Sequence, residues 1–210
     1  MKMIEQIELK SGLSPNKIWF TSDTHFFHDK VVEYCQRPFA SVEEMNEELI
    51  ARWNSVVHRD GIVFHLGDFC FGKPDNWNYI LDRLKGRIFL VLGNHDTRHI
   101  NEEIASRFEC VAIQMRLHVN GQKIYLHHFP FLSYGGDNHG TWQLFGHIHS
   151  NQQESNIIDK HRLSMLLPSQ YDVGVDNNNY TPVSYRQVEE IIKNGNHELP
   201  DLLCMHRQCL

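Results

Sequence analysis

Short apolar runs rich in β-formers alternate with amphipathic stretches along this chain. Ile18 to Ser22 reads as a strand. Val42, Met45, Leu49, Ile50 and Trp53 recur at helical spacing behind a Ser41/Glu44 capping box, which predicts a helix from Ser41 to Val57. Gly61 to Leu66 reads as a strand, Asp75 to Leu84 as a helix opened by an Asp75 cap, Arg87 to Leu92 as a strand, and Thr97 to Phe108 as a helix. Asn120-Gly121 between Cys110–Val119 and Gln122–Leu126 is a strong hairpin signal. Thr141 to Phe145 and Tyr171 to Val175 are further strands, and Pro182 to Lys193 reads as a last helix with Gly195 beyond its end. Residues 134–140 and 150–170 read as irregular loops. Early strand–helix alternation followed by a hairpin-rich half points to an α/β architecture of two packed mixed sheets with helices outside.

Composition narrows the class. A length of 210 residues suits one domain with a sizeable core, here about 18–193, and leaves a tail, 194–210, without an assignment. Apolar residues at 41% and charged residues at 22% are ordinary for a folded chain. A net charge of −6 argues against a broad basic face, so extended nucleic acid is not an expected partner. No apolar run is long enough to span a bilayer, and the start MKMIEQIELKSG has no apolar signal core, so a cytoplasmic protein is expected. The 5 cysteines show no CxxC spacing and read as free thiols in a reducing compartment. Histidine is the unusual residue. There are 15, spread through the chain, against 20 lysines and arginines together. Histidine is the commonest metal ligand and the usual acid or base near neutral pH.

Position gives those histidines meaning. Five polar clusters each follow a predicted strand: Asp23-Thr24-His25, Gly67-Asp68, Gly93-Asn94-His95-Asp96, His127-His128 and Gly146-His147-Ile148-His149. Loops at the carboxyl ends of strands are where α/β sheets hold ligands. The Asp, Asn and His donors suit Mn, Fe, Zn or similar ions, and there is no thiolate set. If the backbone there is extended, Asp23 and His25 face the same way and grip one ion, while His147 and His149 reach two ions about 3.5–4 Å apart. Two close cations need a shared carboxylate, for which Asp68 is the candidate.

The order DTH, GDF, GNHD, LHHFP, GHIH resembles the calcineurin-like metallophosphoesterases from about Trp19 to Gln187. Arg37-Pro38-Phe39 and Asp172-Val-Gly-Val-Asp176 resemble the small bacterial and phage members. The resemblance implies a four-layer αββα sandwich of two mixed β-sheets flanked by helices, with two divalent metal ions at the strand ends. Manganese is expected first, with Fe, Zn, Ni or Co as alternatives. Asp23, His25 and His149 are implied as ligands of one ion. Asn94, His128 and His147 are implied for the other, with Asp68 bridging. His127 falls beside the aligned ligand and reads as packing next to the site. A metal-bridging hydroxide is implied as nucleophile, with His95 as general acid and Asp96 orienting it. His28 and Arg37 are candidate substrate contacts, Arg37 as a bidentate phosphate clamp.

Departures from neighbouring patterns narrow this further. GDxxDRG and GNHE, carried by the protein Ser/Thr phosphatases and dinucleoside tetraphosphatases of the superfamily, are absent, and no room is expected for the capping domain of its DNA-repair nucleases. A small phosphodiesterase or phosphomonoesterase acting on a phosphate ester or nucleotide is the leading expectation. A non-catalytic metal-binding scaffold of the same fold and a mononuclear zinc amide or ester hydrolase are the alternatives. Oligomeric state is silent.

Overall fold

In the computed structural model, residues 4–9, 13–149, 161 and 163–195 are described, and their strands join into one curled mixed sheet flanked by helices. Its first half is parallel. β2 (Ile18–Thr21), β3 (Ile62–His65) and β4 (Arg87–Val91) pair in register. β2 and β3 are buried at every position, as expected of parallel strands covered on both faces. After a short α1 (Asp29–Tyr34) come the long helix α2 (Val42–Val56) and α3 (Pro74–Leu81), onto which Trp19 and Val63 face outward. Ile18, Phe20, Ile62 and Phe64 face inward.

β5 (Cys110–Val119) is the joint. Its first residues pair with β4. Its remainder pairs with β1 (Ile4–Leu9) in parallel and with β6 (Gln122–His127) antiparallel. β6 continues to β7 (Trp142–Phe145) and β8 (Gln170–Asp172), both parallel to their neighbours. A bridge from Ser22 to Gly174 brings the end of β8 back to the end of β2, so the two halves face each other. Phe20 and Phe64 of one half pack with Leu117, Leu126 and Leu144 of the other. The two expected sheets are thus two halves of one hydrogen-bonded surface. The edge strand β9 (Val183–Ser184) runs antiparallel to β2.

Local signals explain most boundaries. The Ser41 side chain accepts from the Glu44 amide at 3.2 Å, and Met45, Leu49, Ile50 and Trp53 form the buried stripe of α2. Asn120 and Gly121 take φ of 50° and 83°, the left-handed pair that a two-residue hairpin requires. Other boundaries differ from expectation. α3 is opened by Lys73 with Pro74 in its first turn, and Asp75 caps nothing. The expected helix 97–108 is a 3-10 turn, Asp96–Arg98, and a short α4, Glu102–Ala105. Asn101 interrupts it by accepting from the Ile104 amide at 2.8 Å. The last helix, α5, is Tyr185–Asn194. It starts later than expected because Val183 and Ser184 pair with β2, and Ser184 with Gln187 then forms its capping box. β1 is an addition. Its apolar residues Ile4, Ile7 and Leu9 fit neither helical nor strand period, and pairing with β5 decides its state. Most of the expected loop 150–170 and of the tail 194–210 lies outside the described residues.

His65 ties this scaffold to the loop after β2. Its fully buried ring accepts from the Gly67 amide at Nδ1 (3.3 Å), so Nε2 donates to Thr24 Oγ1 (3.0 Å), whose hydroxyl donates to the Phe69 carbonyl (2.8 Å). Burial, with a smaller push from His128, holds the imidazole down to about 3. An unfolded histidine titrates near 6.5. Below that pH the unfolded chain takes up a proton that folded His65 refuses, so stability is lost as pH falls from about 6.5 toward 3, at about 1.4 kcal/mol per pH unit from this residue. Urea unfolding of metal-free protein between pH 6.5 and 5 checks this. His65→Gln is expected to show a visibly shallower pH dependence, and an unchanged slope refutes the assignment.

Candidate metal centre

The five polar clusters converge at the carboxyl ends of β2, β3, β4, β6 and β7. The loops that carry them are held to each other by their backbones. The amides of Asp23, His25 and Phe26 donate to the carbonyls of Gly67, Asp68 and Phe69, and the Gly146 amide donates to the His128 carbonyl.

Donor atoms of the expected ligands gather in two groups, one of Asp23, His25 and His149, the other of Asp68, His128 and His147, while Cys35 and Asp176 form a third group with His149. Asp68 lies between them. Its Oδ2 is 3.7 Å from His25 Nε2 and 3.5 Å from His128 Nε2. Asn94 joins the second group, with Oδ1 3.0 Å from His128 Nε2. His127 does not: its Nδ1 accepts from the Phe129 amide at 3.0 Å and its ring packs on Phe131.

The expectation of extended backbone at the ligand pairs is corrected here. Asp23 (57°), His25 (50°), Asp68 (55°), His147 (70°) and His149 (50°) all have left-handed φ. For residues other than glycine this costs about 1–2 kcal/mol each and marks sites that surrounding structure must hold. Glycines give the carboxylates room. A Cβ on Gly93 would lie 2.1 Å from Asp68 Oδ1, and one on Gly146 would lie 2.1 Å from Asp23 Oδ2.

Partners fix which ring nitrogens point inward. His128 Nδ1 donates to the Leu66 carbonyl at 2.8 Å, which turns Nε2 toward Asp68 and Asn94. His149 Nδ1 donates to Asp176 Oδ2 at 2.6 Å, which leaves Nε2 facing Asp23 Oδ1 at 3.8 Å. Histidine ligands are oriented in this way. Asp23 Oδ1 is buried and accepts nothing, although Oδ2 of the same carboxylate accepts from the His147 amide at 2.9 Å.

Titration reports the field. Burial works against charge on His128, but Asp68 and Asp23 outweigh it and push the ring up to about 9. Burial also opposes charge on His149, and Asp176 leads the groups that raise it well above the usual value. Burial dominates at His25 and His147 and lowers both. Neutral imidazoles at His25 and His147, a buried carboxylate oxygen without a hydrogen bond and a negative potential together fit a divalent cation site.

Two expectations are corrected by placement. Arg37 is buried, and its guanidinium is engaged within the protein. Nε and Nη2 donate to the two oxygens of Asp176 (2.9 and 2.8 Å), Nη1 to the Thr24 carbonyl (2.9 Å) and Nη2 to the Asp23 carbonyl (2.7 Å). It braces the ligand loop instead of meeting a phosphate. Asp96 does not orient the His95 ring. Its fully buried carboxylate accepts from the amides of Gly93 (2.8 Å), Asp68 (2.8 Å) and Phe69 (2.9 Å), binding the second and third loops together. Burial, with Asp68 nearby, pushes Asp96 up to about 6.

His95 stands at the mouth. Its ring is 40% exposed, Nε2 is 4.0 Å from Asp68 Oδ2, and its amide donates to Asp68 Oδ1 at 3.0 Å. His28 lies across the same mouth, stacked on Phe71 at 4.0 Å with its ring 6.4 Å from that of His95. The residue without an assigned role in the sequence is Asp176. It lies 139 positions from Arg37 and 27 from His149, and no local spacing links them.

The family model for calcineurin-like phosphoesterases matches residues 16–206. An uncharacterized protein of Methanocaldococcus jannaschii is 36% identical over 186 residues, covering 87% of this chain and 95% of that protein. The gene 66 protein of Mycobacterium phage L5 is 32% identical over 187 residues, covering 75% of this chain and 86% of that protein. Among solved structures, a protein of unknown function from Aquifex aeolicus shares the fold with a TM-score of 0.63 at 23% identity, covering 83% of this chain and 98% of that one.

Two outcomes follow from the bracing pair. Arg37→Ala leaves a buried Asp176 charge without its cation and is expected to lower stability by about 3–5 kcal/mol in urea unfolding, where loss of a surface clamp would change it little. Asp176→Ala frees the His149 ring and is expected to weaken Mn²⁺ binding by about 10–100-fold in isothermal titration.

Proposed function

The chain belongs to the calcineurin-like phosphoesterase family and is a metal-dependent phosphoester hydrolase, and on that premise we propose that it works with two divalent cations held on either side of Asp68. The observation that carries this reading is the Asp68 carboxylate between the two donor groups, with Oδ2 within 3.7 Å of a histidine from each. Asp23, His25 and His149 would hold one ion, and Asn94, His128 and His147 the other, with manganese the expected metal and Fe, Zn, Ni or Co accepted by the same donors.

Cations held there would supply positive charge beside the phosphate oxygens and would make water a better nucleophile near neutral pH. The chain supplies the rest. Neutral Asn94 leaves the centre more positive than another carboxylate would, which favours an anionic substrate. His95, exposed at the mouth and fixed through its backbone to Asp68, donates a proton to the departing ester oxygen. His28, across the mouth with its ring 6.4 Å from that of His95, would face the same substrate. Hydrolysis consumes one water. Its oxygen ends on phosphorus, the phosphorus–ester oxygen bond breaks, and the departing oxygen takes the proton from His95. No side chain need form a bond to phosphorus. The substrate is a small phosphate ester or nucleotide, and the net charge of −6 disfavours extended nucleic acid.

Metal analysis of the purified protein tests the centre. Two ions per chain are expected, with both weakened in Asp68→Asn. One ion per chain and a harmless Asp68→Asn refute it. His95→Ala is expected to keep its metal and lose about 10²–10⁴-fold in kcat on esters with poor leaving groups. An unchanged kcat removes His95 from the reaction.

A further inference from the structure

Beside the centre lies an apolar cavity of about 400 Å³, lined among the described residues by Phe129, Phe131, Leu132, His147, Ile148 and Met165. Three features mark it as a built subsite. First, it shares a residue with the metal centre: His147 forms part of its wall, with the Phe129 ring edge-on to it at 4.4 Å. Secondly, its rim is exposed. Phe129 (39%), Leu132 (80%) and Met165 (49%) are three of the six large apolar side chains exposed among the described residues. Clustered apolar exposure of this kind marks a binding surface, where single exposed residues do not.

Thirdly, the wall is held in place by buried amides from the sheet. Gln143 of β7 accepts from the Phe131 amide (3.2 Å) and donates to the Phe129 carbonyl (3.2 Å). Gln170 of β8 donates to the Phe131 carbonyl (2.8 Å) and to Gln143 Oε1 (2.7 Å). Both glutamines are fully buried or nearly so. A loop that turns aromatic and aliphatic side chains outward while its backbone is fixed from below is pre-organised to receive a ligand.

We propose that this cavity holds the retained ester group of the substrate, and that the group is an aromatic ring such as an aryl or a nucleobase, so that the enzyme is a phosphodiesterase. This rests on the dinuclear reading above. The leaving oxygen must face His95, whose ring neighbours are His25, His28 and Phe71. None of those residues lines the cavity, which lies against His147. A phosphate at the centre therefore directs one substituent toward His95 and another toward the aromatic wall. A monoester would leave the wall without an occupant. The product keeps the ring as a phosphomonoester, and the other ester group departs as an alcohol.

A series of diesters with one leaving group tests this. Methyl, phenyl and thymidine-5′ p-nitrophenyl phosphates are compared with Mn²⁺ supplied, on wild type and on the rim variant Leu132→Asp/Met165→Asp, whose changes lie at exposed positions. For wild type, kcat/KM for the phenyl and thymidine esters is expected to exceed that for the methyl ester by about tenfold or more, and this ratio is expected to collapse toward one in the variant. Calorimetric binding gives a readout without turnover. Phenylphosphonate is expected to bind wild type about tenfold more tightly than methylphosphonate, with the preference lost in the variant. Turnover of all three esters at equal kcat/KM overturns the cavity assignment alone. A ring preference that survives in the variant overturns it too. No turnover of any ester overturns the hydrolase mechanism and the assignment with it.

Discussion

Five aspartates are buried at or near the strand ends among the described residues, and the molecule has to answer each of them. A buried carboxylate without a partner is among the most unfavourable groups a fold can contain. Asp176 is answered by Arg37 and His149, which hold it at about 2 although burial opposes them. Asp96 is answered by three backbone amides. Asp172 accepts from the Gly174 amide. Asp68 has the His95 amide and the His128 ring. Asp23 has one amide for one oxygen and no hydrogen bond for the other. The negative charge left over is therefore concentrated at Asp23 and Asp68, where the imidazoles of His25, His128 and His149 also point. The position of the centre follows from which carboxylates the protein neutralises and which it leaves.

That arrangement ties the site to the fold. The curl of the sheet brings the end of β8 back to β2, and this return brings Asp176 to Arg37 and His149. Arg37 in turn holds the carbonyls of Asp23 and Thr24, in a loop whose ligand residues are left-handed. Packing of the two half-sheets stabilises backbone conformations that the ligand residues would not adopt alone. The electrostatic frame and the hydrophobic core are consequently one cooperative unit.

The sequence carried the ligand clusters because each is compact and follows an apolar run, and a side chain at a strand end has few places to go. It carried α2 and the Asn120-Gly121 hairpin because periodicity and turn chemistry are local. It did not carry Arg37 with Asp176. Their partnership spans 139 positions and exists only once the sheet has curled, so a buried brace looked like a phosphate clamp. Asp96 departs from expectation for a related reason. Adjacency to His95 in the chain suggested contact, whereas the carboxylate turns inward to backbone amides of two loops. β1 and the broken helix after Asp96 were decided by pairing and by an Asn101 cap, neither of which leaves a periodic trace.

Gly93 and Gly146 stand against the oxygens of Asp68 and Asp23 so closely that any side chain there would displace a carboxylate. A ligand can be exchanged for a related donor with some change in affinity. These two backbone positions allow no such gradation. Exchange of one donor leaves the others in place, whereas a single methyl group at either glycine would push a carboxylate of the centre aside. The emptiest positions in the loops are thus the ones with the least steric latitude.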